Sequence, residues 1–308
     1  MMFRIFALAA ALAAFSAAAL GSWIRINQAG MTCPDWPLCN GAIVPALGGG
    51  VVLEWGHRMI VAFESVLMVA ALVAAWQQRK RIAGIGRTAA FIVSAYCVQV
   101  ILGAATVALS NSPWSVVWHW GAAMAFLAGL SVLVILAFVE PARKAAPVVQ
   151  NGLYPLIAAC AAVAFVTMCA GAYVSSSGAG LACLSLPYCN GTLFGQTPAQ
   201  LAQMVHRLFA GLFLVFATVA VYRVAVGAPL RVRAATLTGY TLIVAQILLG
   251  FANVAYLLPP ALRELHAANA GLTFIAFVCA FAFARIDGTV AIASAARRSS
   301  PSITAGAR

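Results

Sequence analysis

Charge is what this sequence lacks. Only 8% of its 308 residues are Asp, Glu, Lys or Arg, and only six are acidic. Soluble domains carry about 25% charged residues. A chain this poor in charge cannot present a water-facing surface, so a soluble globular protein is excluded and lipid must be its solvent. Its long apolar stretches show no period-two alternation, which excludes a membrane barrel. No span is broken around an unpaired charge near its middle, which argues against a repeat-built transporter. No Cys or carboxylate gathers with the His residues at a structural-site spacing, which disfavours zinc. The net charge of +12 does not imply nucleic acid. The basic residues sit in short links between apolar runs, as membrane topology requires.

What the chain has is length of apolar run: 64% hydrophobic residues and a mean hydropathy of +0.99. About 20 such residues cross a bilayer as a helix. Eight stretches qualify, at 3–24, 52–77, 88–109, 114–139, 153–175, 200–226, 233–257 and 261–286. The expected fold class is therefore an all-α integral membrane protein with eight transmembrane helices. Arg79, Lys80, Arg81, Arg87, Arg143, Lys144, Arg223, Arg231, Arg233, Arg297, Arg298 and Arg308 mark alternate links and the tail. The positive-inside rule puts these and both termini in the cytoplasm. Arg25 is the main exception. The start, MMFRIFALAAALAAFSAAALGS, has the make-up of a signal peptide; because an internal repeat includes it, an uncleaved first span is expected.

That repeat covers the whole chain. GSWIRINQAGMTCPDWPLCNG (21–41) aligns without a gap on GAYVSSSGAGLACLSLPYCNG (171–191), and QVILGAATV (99–107) on QILLGFANV (246–254). His57-Arg58 matches His206-Arg207, and His119 matches His266. Four spans in each copy make this a parallel repeat. The expected organisation is a four-helix bundle over 1–139, a cytoplasmic linker over 140–152, a second bundle over 153–287 and a disordered tail over 288–308.

All four His of the chain fall in matching places. Ionisable residues inside spans are costly and mark function by default. Each lies about five residues inside the outward end of its helix, roughly 8 Å deep. Imidazoles opposed across a four-helix core make an axial pair for haem iron, so His57 with His119 and His206 with His266 are candidate ligand pairs. Arg58 and Arg207 either contact anionic haem propionates or snorkel at a helix end.

The halves differ beside the first pair. Glu54 stands three residues before His57, on the same helix face, where the second half has Gln203. A haem that only carries electrons needs no carboxylate. One that undergoes chemistry can use it as proton acceptor or as stabiliser of positive charge. The alternative is an interfacial residue near a helix start. Glu64 has no evident role, and Glu264 is expected at the interface. Cys33 with Cys39, and Cys183 with Cys189, lie on the outward, oxidising side. Each pair either clips its loop or, for the first, forms a reversible thiol couple. Cys97, Cys160, Cys169 and Cys279 are expected to be buried and apolar.

With CPDWPLCNG, EWGHR, the second CNG loop and the later His residues in hand, the chain resembles the haem A synthase family from about residue 4 to 286. It departs at INQAGMTC, where the family is expected to have a Thr-Gly-Ser-Gly-like run, and the middle of its second loop is LSLPY, not the PDWPL of the first. The resemblance implies an oxidoreductase that takes the C8 methyl group of haem O to the formyl group of haem A by successive hydroxylations, with water as oxygen source, for terminal oxidase assembly. It implies His57 and His119 as ligands of the substrate haem, Glu54, Cys33 and Cys39 as catalytic, and His206 and His266 as axial ligands of a haem b cofactor. It also implies Cys33–Cys39 and Cys183–Cys189 disulfides, a cell-membrane location with the cysteine loops outside, and haem O synthase as upstream membrane partner. Self-association is left open. Two rivals remain: a di-haem b electron carrier that modifies nothing, and a thiol–quinone oxidoreductase.

Overall fold

A computed structural model describes residues 1–138 and 152–299, with side chains to Asp287. Eight helices are long and apolar enough to cross a membrane: α1 (Met2–Ile26), α2 (Gly50–Trp76), α3 (Ile85–Ala108), α4 (Pro113–Phe138), α5 (Leu153–Ser176), α6 (Pro198–Ala225), α7 (Leu230–Ala255) and α8 (Pro260–Ser299). The chain is an all-helical, multi-pass membrane protein. Among the described residues the only other helix is a single 3-10 turn, Ala179–Leu181. The linker expected over 140–152 falls outside the described residues except for Gly152.

Each span starts or stops for a local reason. Pro113, Pro198 and Pro260 open α4, α6 and α8, where a missing N–H costs nothing. Thr197 and Gln200 close a capping box on α6, which satisfies two free N–H groups. Short turns through Ser110-Asn111 and Leu257-Leu258, all with positive φ, return α3 onto α4 and α7 onto α8. α8 runs on past the expected end of the eighth span, so the tail over 288–308 is helical as far as Ser299. Its Ala-rich continuation favours helix over coil.

α1, α4, α5 and α8 form the centre. α1 packs on α2, α4 and α8; α4 also packs on α3, α5 and α8; α5 packs on α6 and α8, and α7 on α8. One apolar core runs through both halves. Ala7, Ala10, Ala14 and Ala17 form a small-residue stripe on α1 that is fully or nearly buried. Such stripes let helix backbones approach in lipid. The outer helices are apolar outward. On α2, Met59, Phe63, Val66 and Val73 are exposed, whereas Glu54, Glu64, Met68, Ala71 and Ala75 face in. The polar residues of α2 thus point to the protein interior, as a lipid solvent requires. Cys97 corrects an expectation: it is exposed. α3 buries only Ile85, Ile92 and Thr106, and a thiol is apolar enough for its lipid-facing side.

At the basic-loop end Arg231 pairs with Asp287, its Nε 3.0 Å from Oδ2. Asp287 is 2% exposed. Removing one partner strands the other charge. Arg231→Leu should therefore cost about 3 kcal/mol and lower the thermal midpoint in detergent by roughly 5 °C or more. An unchanged midpoint would mean that the pair contributes nothing net.

Candidate functional site

The two cysteine loops fold alike. Both pairs are disulfide-bonded. Each loop has a cis proline, Pro37 or Pro187, and left-handed Asn and Gly residues, Asn40-Gly41 or Asn190-Gly191. In the first loop the Asp35 carboxylate accepts from the Asn40 and Gly41 N–H groups at 2.6 and 2.8 Å. The Gly41 bond holds the Asp35 carboxyl below the usual carboxylate range. Its contribution to loop stability is present above the ordinary value and is lost as pH falls through the lowered one. In the second loop the Ser185 hydroxyl takes over, accepting from Asn190 N–H at 2.7 Å.

Each loop is tied down by the helix that follows it. Arg58 donates to the Asp35 carbonyl (2.7 Å), the Cys33 carbonyl (3.0 Å) and the Leu38 carbonyl. Arg207 donates to the Ser185 and Cys183 carbonyls, both at 2.8 Å. Glu54 Oε2 accepts from Cys33 N–H at 2.9 Å and lies 3.0 Å from the Thr32 hydroxyl; Oε1 pairs with Arg58 at 2.9 Å. Gln203 does the same with an amide: Oε1 accepts from Cys183 N–H at 2.7 Å, and Nε2 donates to the Gly180 carbonyl at 3.0 Å. The residues picked from the sequence as propionate contacts and as a catalytic acid thus also hold the loops. Arg58, Arg207, Glu54 and Gln203 all line the cavity below. Each disulfide sits behind its loop, with every bonded Cys at most 1% exposed.

The four His residues enter the helices six to eight residues from their first residue, slightly deeper than expected. Each rests its ring against a glycine of the preceding helix. A Cβ on Gly21 would lie 3.1 Å from His57 Cε1, and one on Gly171 2.8 Å from His206 Cε1. A Cβ on Gly103 would lie 3.2 Å from His119 Cε1, and one on Gly250 3.3 Å from His266 Cε1. These four glycines form two repeat-matched pairs. The bare backbone leaves room for each imidazole against the neighbouring helix, and all four His line the cavity. For His206, Nδ1 is 3.0 Å from the Thr167 carbonyl. Donation there leaves the Nε2 lone pair free.

His206 and His266 have ring centroids 6.4 Å apart and rings inclined at 73°. Two iron–nitrogen bonds of about 2 Å and two ring radii of about 1.1 Å give roughly 6.2 Å. The spacing of this pair is therefore that of two imidazoles on one iron. His57 and His119 line the same cavity of about 1630 Å³, which reaches all four His. Single small-molecule sites have about 300–1,000 Å³, so the space suits two large ligands. Among the described residues no cluster of three or more His, Cys, Asp or Glu stands ready for a bare metal ion. The structure also brings in residues the sequence did not single out. Gln99 Nε2 is 3.5 Å from His119 Nε2, and Gln246 donates to the His266 carbonyl at 2.9 Å. Arg25, the exception to the basic-link pattern, meets Ser175, its repeat equivalent, at 2.9 Å between the halves. Glu264, expected at the interface, has its carboxylate oxygens turned inward and buried, within electrostatic reach of Arg25. The glycines were visible inside the repeated segments; the inward turn of Glu264 was not.

A family model described as cytochrome oxidase assembly protein, COX15-CtaA, matches residues 50–278. This chain belongs to the COX15-CtaA family. The resemblance drawn from the cysteine loops and His motifs is borne out. The chain is 30% identical over 203 residues to the heme A synthase of Bacillus licheniformis, covering 64% of this chain and 66% of that protein. It is 33% identical over 207 residues to that of Symbiobacterium thermophilum, covering 63% and 66%. With the heme A synthase of Bacillus pumilus the identity is 29% over 219 residues, covering 66% and 68%. The matched stretch thus spans just under two thirds of the first two relatives. The COX15-CtaA match begins at the first residue of α2, takes in all four His and Glu54, and leaves α1 and the first cysteine loop outside it.

Proposed function

We propose that this protein is a haem A synthase, an oxidoreductase that converts the C8 methyl group of haem O to a formyl group. The observation that carries this is an asymmetry within a repeat. Two His pairs on matching glycine cradles share one cavity, but only one pair has a carboxylate, Glu54, beside it. In this reading 1–139 is the catalytic half and 153–287 the electron-carrying half. His206 and His266 hold haem b, which supplies one-electron chemistry when bound. His57 and His119 hold haem O as substrate. Arg58 and Arg207, which line the cavity, would meet the propionates while they hold the loops.

Taking a methyl to a formyl group with oxygen from water releases four protons and four electrons, the electrons leaving one at a time through the haem b half to an external electron acceptor. The reacting half therefore needs a fixed negative group to stabilise developing positive charge and to accept protons. Glu54 is that group. Arg58, Thr32 and the Cys33 N–H orient it. The Cys33–Cys39 disulfide keeps that N–H in place, and its burial speaks for a clip, since thiol exchange needs access. The same burial weighs against a thiol–quinone oxidoreductase. A di-haem electron carrier keeps one argument in its favour: Gln203 shows that the loop tether alone accounts for a residue at this position. In this reading the protein lies in the cell membrane with both termini cytoplasmic and the cysteine loops outside, as the positive-inside rule expects, and receives haem O from a haem O synthase.

Co-expression with a haem O synthase, followed by haem extraction and mass analysis, tests the reading. Haem A or its hydroxylated precursor should accumulate. Haem O alone, in a preparation that reduces and reoxidises normally, would leave the electron carrier.

A further inference from the structure

Glu64 is an acid without a task in the scheme above. It lies on α2 seven residues after His57, so it is about 10.5 Å deeper and within about 20° of the same helix face. It is 4% exposed, lines the cavity, and its Oε1 is buried without a hydrogen-bond partner. Beside it in sequence, Ser65 meets Tyr96 of α3, hydroxyl to hydroxyl at 2.6 Å. The Ser65 proton goes to the Val61 carbonyl at 2.7 Å. Tyr96 then donates to Ser65, and a lone pair of its oxygen stays open. Both residues line the cavity. The first half therefore has hydrogen-bonding groups two helical turns below its His pair.

The second half has no carboxyl at this depth: its hydroxyl there, Thr273 on α8, lines the cavity but gives its proton to the Asn269 carbonyl at 2.7 Å. The repeat offsets that match His57 to His206 and Gln99 to Gln246 match Glu64, Ser65 and Tyr96 to Phe213, Leu214 and Ile243. Phe213 is buried against Phe277 with ring centroids 5.3 Å apart. Burying a carboxyl among apolar helices is costly unless something hydrogen-bonds to it. Its ligand should thus be polar at one point and apolar around it, and should be absent from the second half.

The ligands assigned to the two halves differ in this way. Haem b carries a vinyl group where haem O carries a hydroxyethylfarnesyl chain, on the porphyrin edge away from the propionates. With the propionates towards the loops and their arginines, that edge points down α2. We propose that Glu64, with the Ser65–Tyr96 pair, is a specificity site that hydrogen-bonds the hydroxyl of the hydroxyethylfarnesyl chain and selects haem O over haem b in the first half. This rests on haem O being the substrate. Rejecting a ligand that lacks the hydroxyl follows from the polar group it would leave unpaired.

The test is a binding titration of the purified holoprotein, its second half already filled with haem b, using haem O and haem b in turn. Wild type should bind haem O at least about 10-fold more tightly. Glu64→Leu should lose that preference chiefly through weaker haem O binding, and Tyr96→Phe should lose part of it. Glu64→Gln, which keeps a hydrogen-bonding group, should retain most of it. An unchanged haem b spectrum in the second half certifies each variant as folded. Undiminished preference in folded Glu64→Leu overturns the role of Glu64, while wild type that makes haem A leaves the enzyme reading standing. Wild type that neither makes haem A nor prefers haem O overturns both.

Discussion

Glu54→Gln should lower haem A formation by about 100-fold or more and leave haem content, both disulfides and stability close to wild type. The second half already contains the control. Gln203 at the matching position accepts the Cys183 N–H at 2.7 Å, as Glu54 accepts the Cys33 N–H at 2.9 Å. An amide therefore suffices to hold the loop. What it cannot supply is a negative charge beside the proposed haem O site. Arg58 loses its carboxylate partner but keeps its bonds to the Cys33 and Asp35 carbonyls, so the loop stays clamped. Haem extraction and mass analysis should find haem O where wild type gives haem A. Full activity would remove Glu54 from the chemistry and reduce it to the tether that Gln203 is. Loss of both product and bound haem would show that the charge acts through the fold.

The spans were legible because lipid demands long apolar runs, and the helices begin and end within about three residues of expectation except at the end of α8. That the four His occupy matching places was legible because the repeat carries them, and His206 with His266 face each other at 6.4 Å between ring centroids. The role of Arg58 was half legible: EWGHR places Glu54 and Arg58 four apart on a helix, a pairing distance. Its bonds to the carbonyls of the 33–39 loop depend on how that loop folds back, which no periodicity encodes. Glu64 was conspicuous as an acid inside a span, but its meaning needed Tyr96, 32 residues away on another helix. The inward turn of Glu264 needed Arg25 from α1. Residues acting within one helix could be read from spacing; residues acting across helices needed the packing.

The glycine cradles give the sharpest structural prediction. A Cβ at Gly171 would stand 2.8 Å from His206 Cε1 and 3.3 Å from Nδ1. The ring cannot retreat without stretching its 3.0 Å contact with the Thr167 carbonyl, which fixes the tautomer and direction of the lone pair. Gly171→Ala should therefore lower haem b occupancy in the second half, and Gly171→Leu should abolish it. Gly250→Ala, where the Cβ would have 3.3 Å, should be milder. Alanine and leucine are better helix formers than glycine by about 0.5–1 kcal/mol, so α5 itself gains stability as the haem is lost. That opposition separates a displaced ligand from a misfolded chain. The reduced-minus-oxidised haem spectrum per mole of protein reads the first, and helical content by circular dichroism reads the second. Gly171→Leu with a full bis-His haem b spectrum would mean that His206 does not hold the iron from this position. The assignment of the second half would then fall with it.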